Sequence, residues 1–170
     1  MGKLINKLMI LDAVRDLTLS SFSHIVESNC SELKPEKISD EISSQSMRLP
    51  FFIELKGKVK TKETMNNFEG VIALIFPKGT YINISEKALM QKVDELDEDA
   101  LSIGLEMANM VSGGLKSTLE KFGHEFDLMS PVYDNESPLL KYQDDKNSYN
   151  VLFFESSFGH FKLEFFYDEK

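Results

Sequence analysis

The apolar residues of the first 27 positions recur at intervals of three and four. This spacing gathers apolar side chains on one side of a helix, so we predict an amphipathic helix over residues 5–27. Residues 28–50 are polar and charged, with Pro35 and Pro50 among them, and we predict an irregular connection there. The apolar side of the predicted helix comprises Leu8, Leu11, Val14, Leu17, Phe22, Ile25 and Val26.

Over residues 51–60 the period changes to two, because apolar residues alternate with mostly charged ones. Such alternation predicts a half-exposed strand. After a turn predicted at Asn66-Asn67, residues 68–76 are apolar on both faces apart from Glu69. A run without a polar face predicts a strand in the interior of the sheet.

Helices are predicted next along the chain. Ser85 is a suitable cap for a short helix over residues 86–93. The acidic run 97–99 places carboxylates in the first turn of a long helix, where the helix dipole favours them. Gly123 suits the position just after a helix end. We therefore predict a long helix from about residue 97 to about residue 122.

The rest of the chain predicts strands and connections. A hairpin turn is predicted at residues 156–159 and a surface loop at residues 134–147, which contain Pro138. The fold class is therefore α+β, an antiparallel β-sheet with packed helices. A length of 170 residues fits a single domain, 1–170. The strands are predicted at 125–132, 149–155 and 161–167.

The composition argues against several classes of function. Acidic residues outnumber basic ones 28 to 19, and the net charge of −9 argues against a nucleic-acid partner. Cys30 is the single cysteine, which excludes a disulfide within the chain and a cysteine zinc cluster. The apolar stretch near the start is interrupted by Asp12, Arg15 and Asp16, and no run reaches membrane-spanning length. We therefore expect a cytoplasmic protein without a membrane partner.

The usual catalytic and metal-binding patterns are missing from the sequence. The three histidines, His24, His124 and His160, are scattered, so neither a metal site nor a nucleophile–base pair is indicated. The Gly113-Gly114 pair falls inside the long predicted helix rather than before one, so it does not form a phosphate-binding loop.

One face of the long helix departs from ordinary helix composition. Ser102, Glu106, Asn109 and Gly113 recur at i, i+4, i+7 and i+11, so they lie along one polar stripe. Asn109 is a poor residue for a helix interior, and each of the two glycines costs about 1 kcal/mol relative to alanine. The pattern alone leaves two interpretations open: a solvated face with glycines for internal packing, or a site that another backbone approaches.

A family resemblance favours the second interpretation. Ser102-x3-Glu106-x2-Asn109, followed after 21 intervening residues by Pro131, resembles the signature of the CheC/CheX/FliY phosphatases. The resemblance is clearest over residues 51–166. CheC-type members usually carry two Glu-x-x-Asn copies, whereas this chain has one, so it resembles CheX most.

The resemblance implies a CheC-like fold and a protein phosphatase that acts on the phosphoaspartate of a CheY-type chemotaxis response regulator. Asn109 would orient the attacking water, and Glu106 would pair with a lysine of the regulator. Ser102, Gly113 and Pro131 would contact the partner. The chain would need no cofactor of its own, because the regulator supplies Mg²⁺.

The resemblance also implies a homodimer, since sheet edges are available for pairing. An alternative from a different class stays open. The chain could be a non-catalytic, CheX-like binding or dimerisation module for a response regulator or a flagellar component.

Overall fold

The computed structural model describes residues 2–44, 47, 49–60, 64–134 and 148–169. The helices are α1 (Gly2–Val26), α2 (Asp40–Ser44), α3 (Lys78–Leu89) and α4 (Glu98–Glu120), with a short 3₁₀ helix at Pro35–Lys37. The strands are β1 (Cys30–Glu32), β2 (Leu49–Lys60), β3 (Met65–Phe76), β4 (His124–Leu128), β5 (Val132–Tyr133), β6 (Tyr149–Ser156) and β7 (Gly159–Glu169).

The described strands form one antiparallel sheet in the order β1-β6-β7-β3-β2-β4, with β5 also paired to β2. The longest ladder joins β2 and β3 from Leu49↔Phe76 to Lys60↔Met65. Helices α1 and α4 pack against each other, and α4 lies on β2 and β4. The predicted α+β class, an antiparallel sheet with packed helices, is confirmed.

The predicted alternation of β2 positions the core. Phe51, Ile53 and Leu55 are buried and belong to one cluster with residues of α1 and α4, whereas Glu54 and Lys56 are exposed. Burial of the apolar residues of one strand face supplies the main stabilisation of such a layer, at about 25 cal/mol per Å². The interior strand predicted at residues 68–76 is also confirmed, since β3 lies between β2 and β7.

Two local predictions are wrong. Asn66 and Asn67 form no turn, because both lie inside β3, opposite Val59 and Lys58. Ser85 caps no helix; it is buried in the interior of α3, and Pro77 occupies the N-cap of that helix.

Two boundaries differ from the sequence prediction. The strand predicted over 125–132 is two strands, β4 and β5, separated by residues 129–131. Pro131 has no N–H to donate to a ladder, which accounts for the interruption. Helix α4 ends at Glu120 rather than near residue 122. From residue 135 onward the loop predicted at 134–147 lies outside the described residues.

The irregular connection predicted over 28–50 is partly ordered, since it holds β1, the 3₁₀ helix and α2. The hairpin turn predicted at residues 156–159 is confirmed, with Gly159 at a positive φ of 128°. None of the helices in the described residues is both long and apolar enough to span a membrane.

Candidate functional site

Helix α4 carries the candidate site and begins at a well-defined cap. The Asp97 side chain accepts a hydrogen bond from the backbone N–H of Ala100 at 2.9 Å. Glu98 and Asp99 lie in the first turn, where carboxylates interact favourably with the helix dipole. The predicted start of the helix is therefore correct, and the polar stripe belongs to a helix with a fixed N-terminus.

The buried side of α4 is mainly apolar. Met107, Val111 and Leu115 are fully buried, whereas Leu101 is half-buried and Phe122, beyond the helix end, is exposed. The polar residue Ser112 is also buried. Its hydroxyl donates to the carbonyl of Ala108 at 2.8 Å, so its burial leaves no unpaired donor.

The predicted polar stripe faces outward. Ser102, Glu106 and Asn109 are exposed, and Gly113 is half-buried on the next turn. The Ser102 hydroxyl donates to the carbonyl of Asp99 at 2.6 Å, so it is bonded within its own helix. Within the described residues, neither the Glu106 carboxylate nor the Asn109 amide has a hydrogen-bond or ion-pair partner. Both groups are therefore free to bind a partner.

The two glycines of α4 have different surroundings. A Cβ added at Gly113 would meet no atom within 4 Å. A Cβ added at Gly114 would overlap the end of the Leu17 side chain in α1. Gly114 thus allows α1 and α4 to pack closely, whereas Gly113 leaves open space beside Asn109.

Pro131 is the predicted site residue that does not belong to the stripe. It lies between β4 and β5, and β5 pairs with β2 at Phe51↔Tyr133. The Phe51 ring lies directly against Gly104 of α4. Pro131 therefore lies in the connection just before β5, at the sheet edge and off the polar stripe of α4.

His124 has a structural role. It is buried; its Nδ1 lies 3.1 Å from the carbonyl of Leu119 and its Nε2 lies 2.7 Å from the hydroxyl of Tyr167. Burial lowers the pKa of His124 below its ordinary value. A neutral ring that donates from Nδ1 and accepts at Nε2 satisfies both contacts.

Other candidate chemistry in the described part of the chain is sparse. Burial raises the pKa of the Cys30 thiol to about 12, which disfavours the reactive thiolate. The described residues include no group of three His, Cys, Asp or Glu side chains placed to hold a metal ion.

Sequence reasoning missed Tyr81. This buried side chain of α3 forms hydrogen bonds through its hydroxyl with Ala100 and Gly104 in the first turns of α4. The sequence holds no local signal for this contact, because the two helices meet only in the folded chain.

Known proteins share both the sequence family and the fold of this chain. The family model described as "Chemotaxis phosphatase CheX" matches residues 61–154, more than half of the 170 residues. No curated protein sequence matches the chain.

Solved structures cover nearly the whole chain at low sequence identity. The chemotaxis protein CheX from Vibrio vulnificus is 18% identical, with a TM-score of 0.67 over 94% of this chain and 96% of that one. A CheC-like superfamily protein from Shewanella is 19% identical, with a TM-score of 0.65 over 94% and 97% of the two chains. These likenesses show the CheC-like fold.

A third solved structure contains a partner. It is the CheX–CheY–BeF₃–Mg²⁺ complex from Borrelia burgdorferi, which is 14% identical with a TM-score of 0.61, over 92% of this chain and 96% of that one. The match to the family model, together with the fold, identifies the chain: it belongs to the CheX family of chemotaxis phosphatases.

Proposed function

We propose that this chain hydrolyses the phosphoaspartate of a CheY-type chemotaxis response regulator, with Asn109 as the catalytic residue and Glu106 as the docking residue. The observation that carries the proposal is an exposed carboxylate and an exposed amide one turn apart on α4, neither of which has a partner in the described part of the chain. Membership of the CheX family supports the reaction class. The crystal structure of the CheX–CheY–BeF₃–Mg²⁺ complex from Borrelia burgdorferi supports the choice of partner.

The proposed chemistry asks little of the phosphatase. A water oxygen attacks the phosphorus, the bond between phosphorus and the aspartate oxygen breaks, and the products are inorganic phosphate and a free carboxylate. The regulator supplies Mg²⁺, which neutralises the developing charge on the phosphoryl oxygens. Asn109 enters the regulator's site, and its side-chain amide holds the water in line with the bond that breaks between phosphorus and the aspartate oxygen.

Glu106 fixes the register between the two proteins. Its exposed carboxylate pairs with a lysine of the regulator's active site, and charge complementarity of this kind selects partner and orientation. The open space at Gly113 lets the regulator's backbone approach α4 beside Asn109. Ser102 and Pro131 complete the contact area at the first half of the helix.

The decisive experiment measures decay of a phosphorylated CheY-type regulator with Mg²⁺ present. We expect substoichiometric amounts of this chain to release all of the bound phosphate, which requires turnover. A stable one-to-one complex with unchanged phosphate decay would instead indicate the binding module. The inactive variant Asn109→Ala is the matched control, since it leaves the fold and the docking carboxylate in place.

We propose in addition that residues 1–170 act in the cytoplasm as one domain and as a homodimer. The described sheet ends in short edge strands, β1 on one side and β4 together with β5 on the other. Such edges offer backbone groups for pairing with a second copy. Light scattering across a concentration series would report the mass, and a monomer at all concentrations would contradict the dimer.

A further inference from the structure

Tyr81 lies between the sheet and helix α4. Its side chain is fully buried, and its ring stacks on Phe51 with centroids 4.9 Å apart and an interplanar angle of 24°. The ring of Phe76 lies 5.3 Å away on another side. Packing by two aromatic rings holds the Tyr81 ring in one orientation and therefore fixes the position of its hydroxyl.

The hydroxyl takes part in the backbone hydrogen bonding of α4. It donates to the carbonyl oxygen of Ala100 and accepts from the N–H of Gly104 at 2.9 Å. In a regular α-helix the N–H of one residue bonds to the carbonyl four residues earlier, so these two groups are normally partners of each other. Burial raises the pKa of Tyr81 to about 12, so the hydroxyl keeps the proton that it donates.

The same turn rests directly on the sheet. A Cβ added at Gly104 would lie 2.6 Å from ring carbons of Phe51, so this position has no room for a side chain. The turn is thus held by the Phe51 ring beneath it and by the Tyr81 hydroxyl, which bonds to its backbone. Ser102 stands on its outer side, and Glu106 follows two residues after Gly104.

We infer that Tyr81 is a positioning residue, which sets the direction of the Glu106 side chain relative to Asn109; the inference rests on the proposed docking role of Glu106. The hydroxyl bonds both the Ala100 carbonyl and the Gly104 N–H, so it ties this turn of α4 to α3. Without the hydroxyl both bonds are lost, and the turn can shift on the sheet. Such a shift displaces Glu106, and misplacement by about 1 Å is enough to weaken a preorganised contact.

The first test needs no regulator. Tyr81→Phe removes the hydroxyl and keeps the ring. The matched control, Tyr167→Phe, removes another buried hydroxyl, which lies 2.7 Å from Nε2 of His124 beyond the other end of α4. In Tyr81→Phe the chemical shifts of the backbone amides of residues 104–106 should change. In the control they should stay as in the wild type. An unmoved Glu106 amide in Tyr81→Phe overturns the inference.

The second test measures binding and turnover separately, with a BeF₃-activated CheY-type regulator for binding and the phosphorylated form for turnover. For Tyr81→Phe we expect Kd and KM to rise about 3–10-fold while kcat stays close to wild type. Tyr167→Phe should match wild type in all three. If both variants lost affinity and turnover equally, and only in proportion to the fraction of unfolded protein, Tyr81 would have a structural role alone. That result would overturn the inference. A wild-type chain that dephosphorylates no regulator would contradict the proposed function, and the amide resonances would still decide the role of Tyr81.

Discussion

Gly113 and Gly114 are adjacent in α4 yet face opposite surroundings. Space is open beside Gly113, whereas Leu17 of α1 fills the space beside Gly114. Two glycines that look equivalent in the sequence therefore have different roles. One keeps the outer surface of the helix low next to Asn109, and the other permits close packing of two helices.

This difference gives a paired prediction. Gly113→Ala should stabilise the protein by about 0.5–1 kcal/mol, because the helix gains a better former without a clash. Gly114→Ala should be less stable than Gly113→Ala by about 1 kcal/mol, because the end of the Leu17 side chain must move to admit the new Cβ. Urea denaturation of both variants is the measurement. Equal changes in the free energy of unfolding would show that the two positions are not distinct.

A larger substitution separates docking from folding. Gly113→Leu should leave the free protein folded, because the space beside Gly113 is open, yet it should block approach of the regulator. Binding titration and the melting temperature report the two effects. A destabilised Gly113→Leu variant that still dephosphorylates the regulator would refute the assignment of this face as the docking surface.

Asn109→Ala should lower turnover by about 10²–10³-fold, the scale for losing one preorganised polar group. The fold should survive, because the side chain is exposed. Steady-state dephosphorylation and circular dichroism check the two statements. Asn109→Gln is the sharper variant, since one additional methylene displaces the amide by more than about 1 Å and should remove most activity. Near-wild-type turnover in a folded Asn109→Ala variant would disprove the water-orienting role.

Glu106→Lys should abolish binding of the regulator, because a lysine facing a lysine converts attraction into repulsion. Glu120→Lys is a matched control: Glu120 is exposed on the same helix, about 21 Å further along, and pairs with Lys116. We expect the affinities of Glu120→Lys and Asn109→Ala for the regulator to stay close to that of the wild type. Unchanged affinity in Glu106→Lys would exclude the docking role, and equal losses in both charge reversals would indicate a general electrostatic effect.

Stability should fall when the pH drops below about 6.5, the ordinary histidine pKa. Burial lowers the pKa of folded His124, while the Leu119 carbonyl and Glu169 oppose that shift in part. The unfolded chain therefore takes up a proton that the folded chain resists. The loss amounts to at most about 1.4 kcal/mol per pH unit, and it ends once the pH is below the folded pKa. Urea denaturation at several pH values measures the free energy of unfolding as a function of pH. His124→Gln should make this dependence less steep, and an unchanged dependence would show that other groups cause it.

Much of the architecture could be predicted from local patterns. The alternation of β2 and the mostly apolar run at residues 68–76 were sufficient, because burial on one or both faces leaves its period in the sequence. The acidic run before α4 identified its start, which the Asp97 cap confirms. The direction of the Glu106–Asn109 stripe follows from helix geometry alone.

Predictions failed where a distant contact outweighs local preference. Asn66 and Asn67 suit a turn, yet they pair along β2 and extend β3. Ser85 suits a cap, yet the helix begins earlier, after Pro77, and Ser85 is buried within it together with Tyr81 and Ile84. The hydrogen bonds of Tyr81 to α4 span 19 and 23 residues and have no periodic signature in the sequence.

The pairing of β1 with β6 has a consequence for synthesis on the ribosome. Cys30 lies opposite Ser156, and Ser31 donates to Glu155 at 3.4 Å across 124 residues of chain. Strand β1 can therefore pair with β6 only after residues 149–156 have left the exit tunnel. Contacts of such long sequence separation slow folding. Until then the nascent chain carries β1 without its neighbour, and unpaired strand edges of partly folded chains are prone to aggregation.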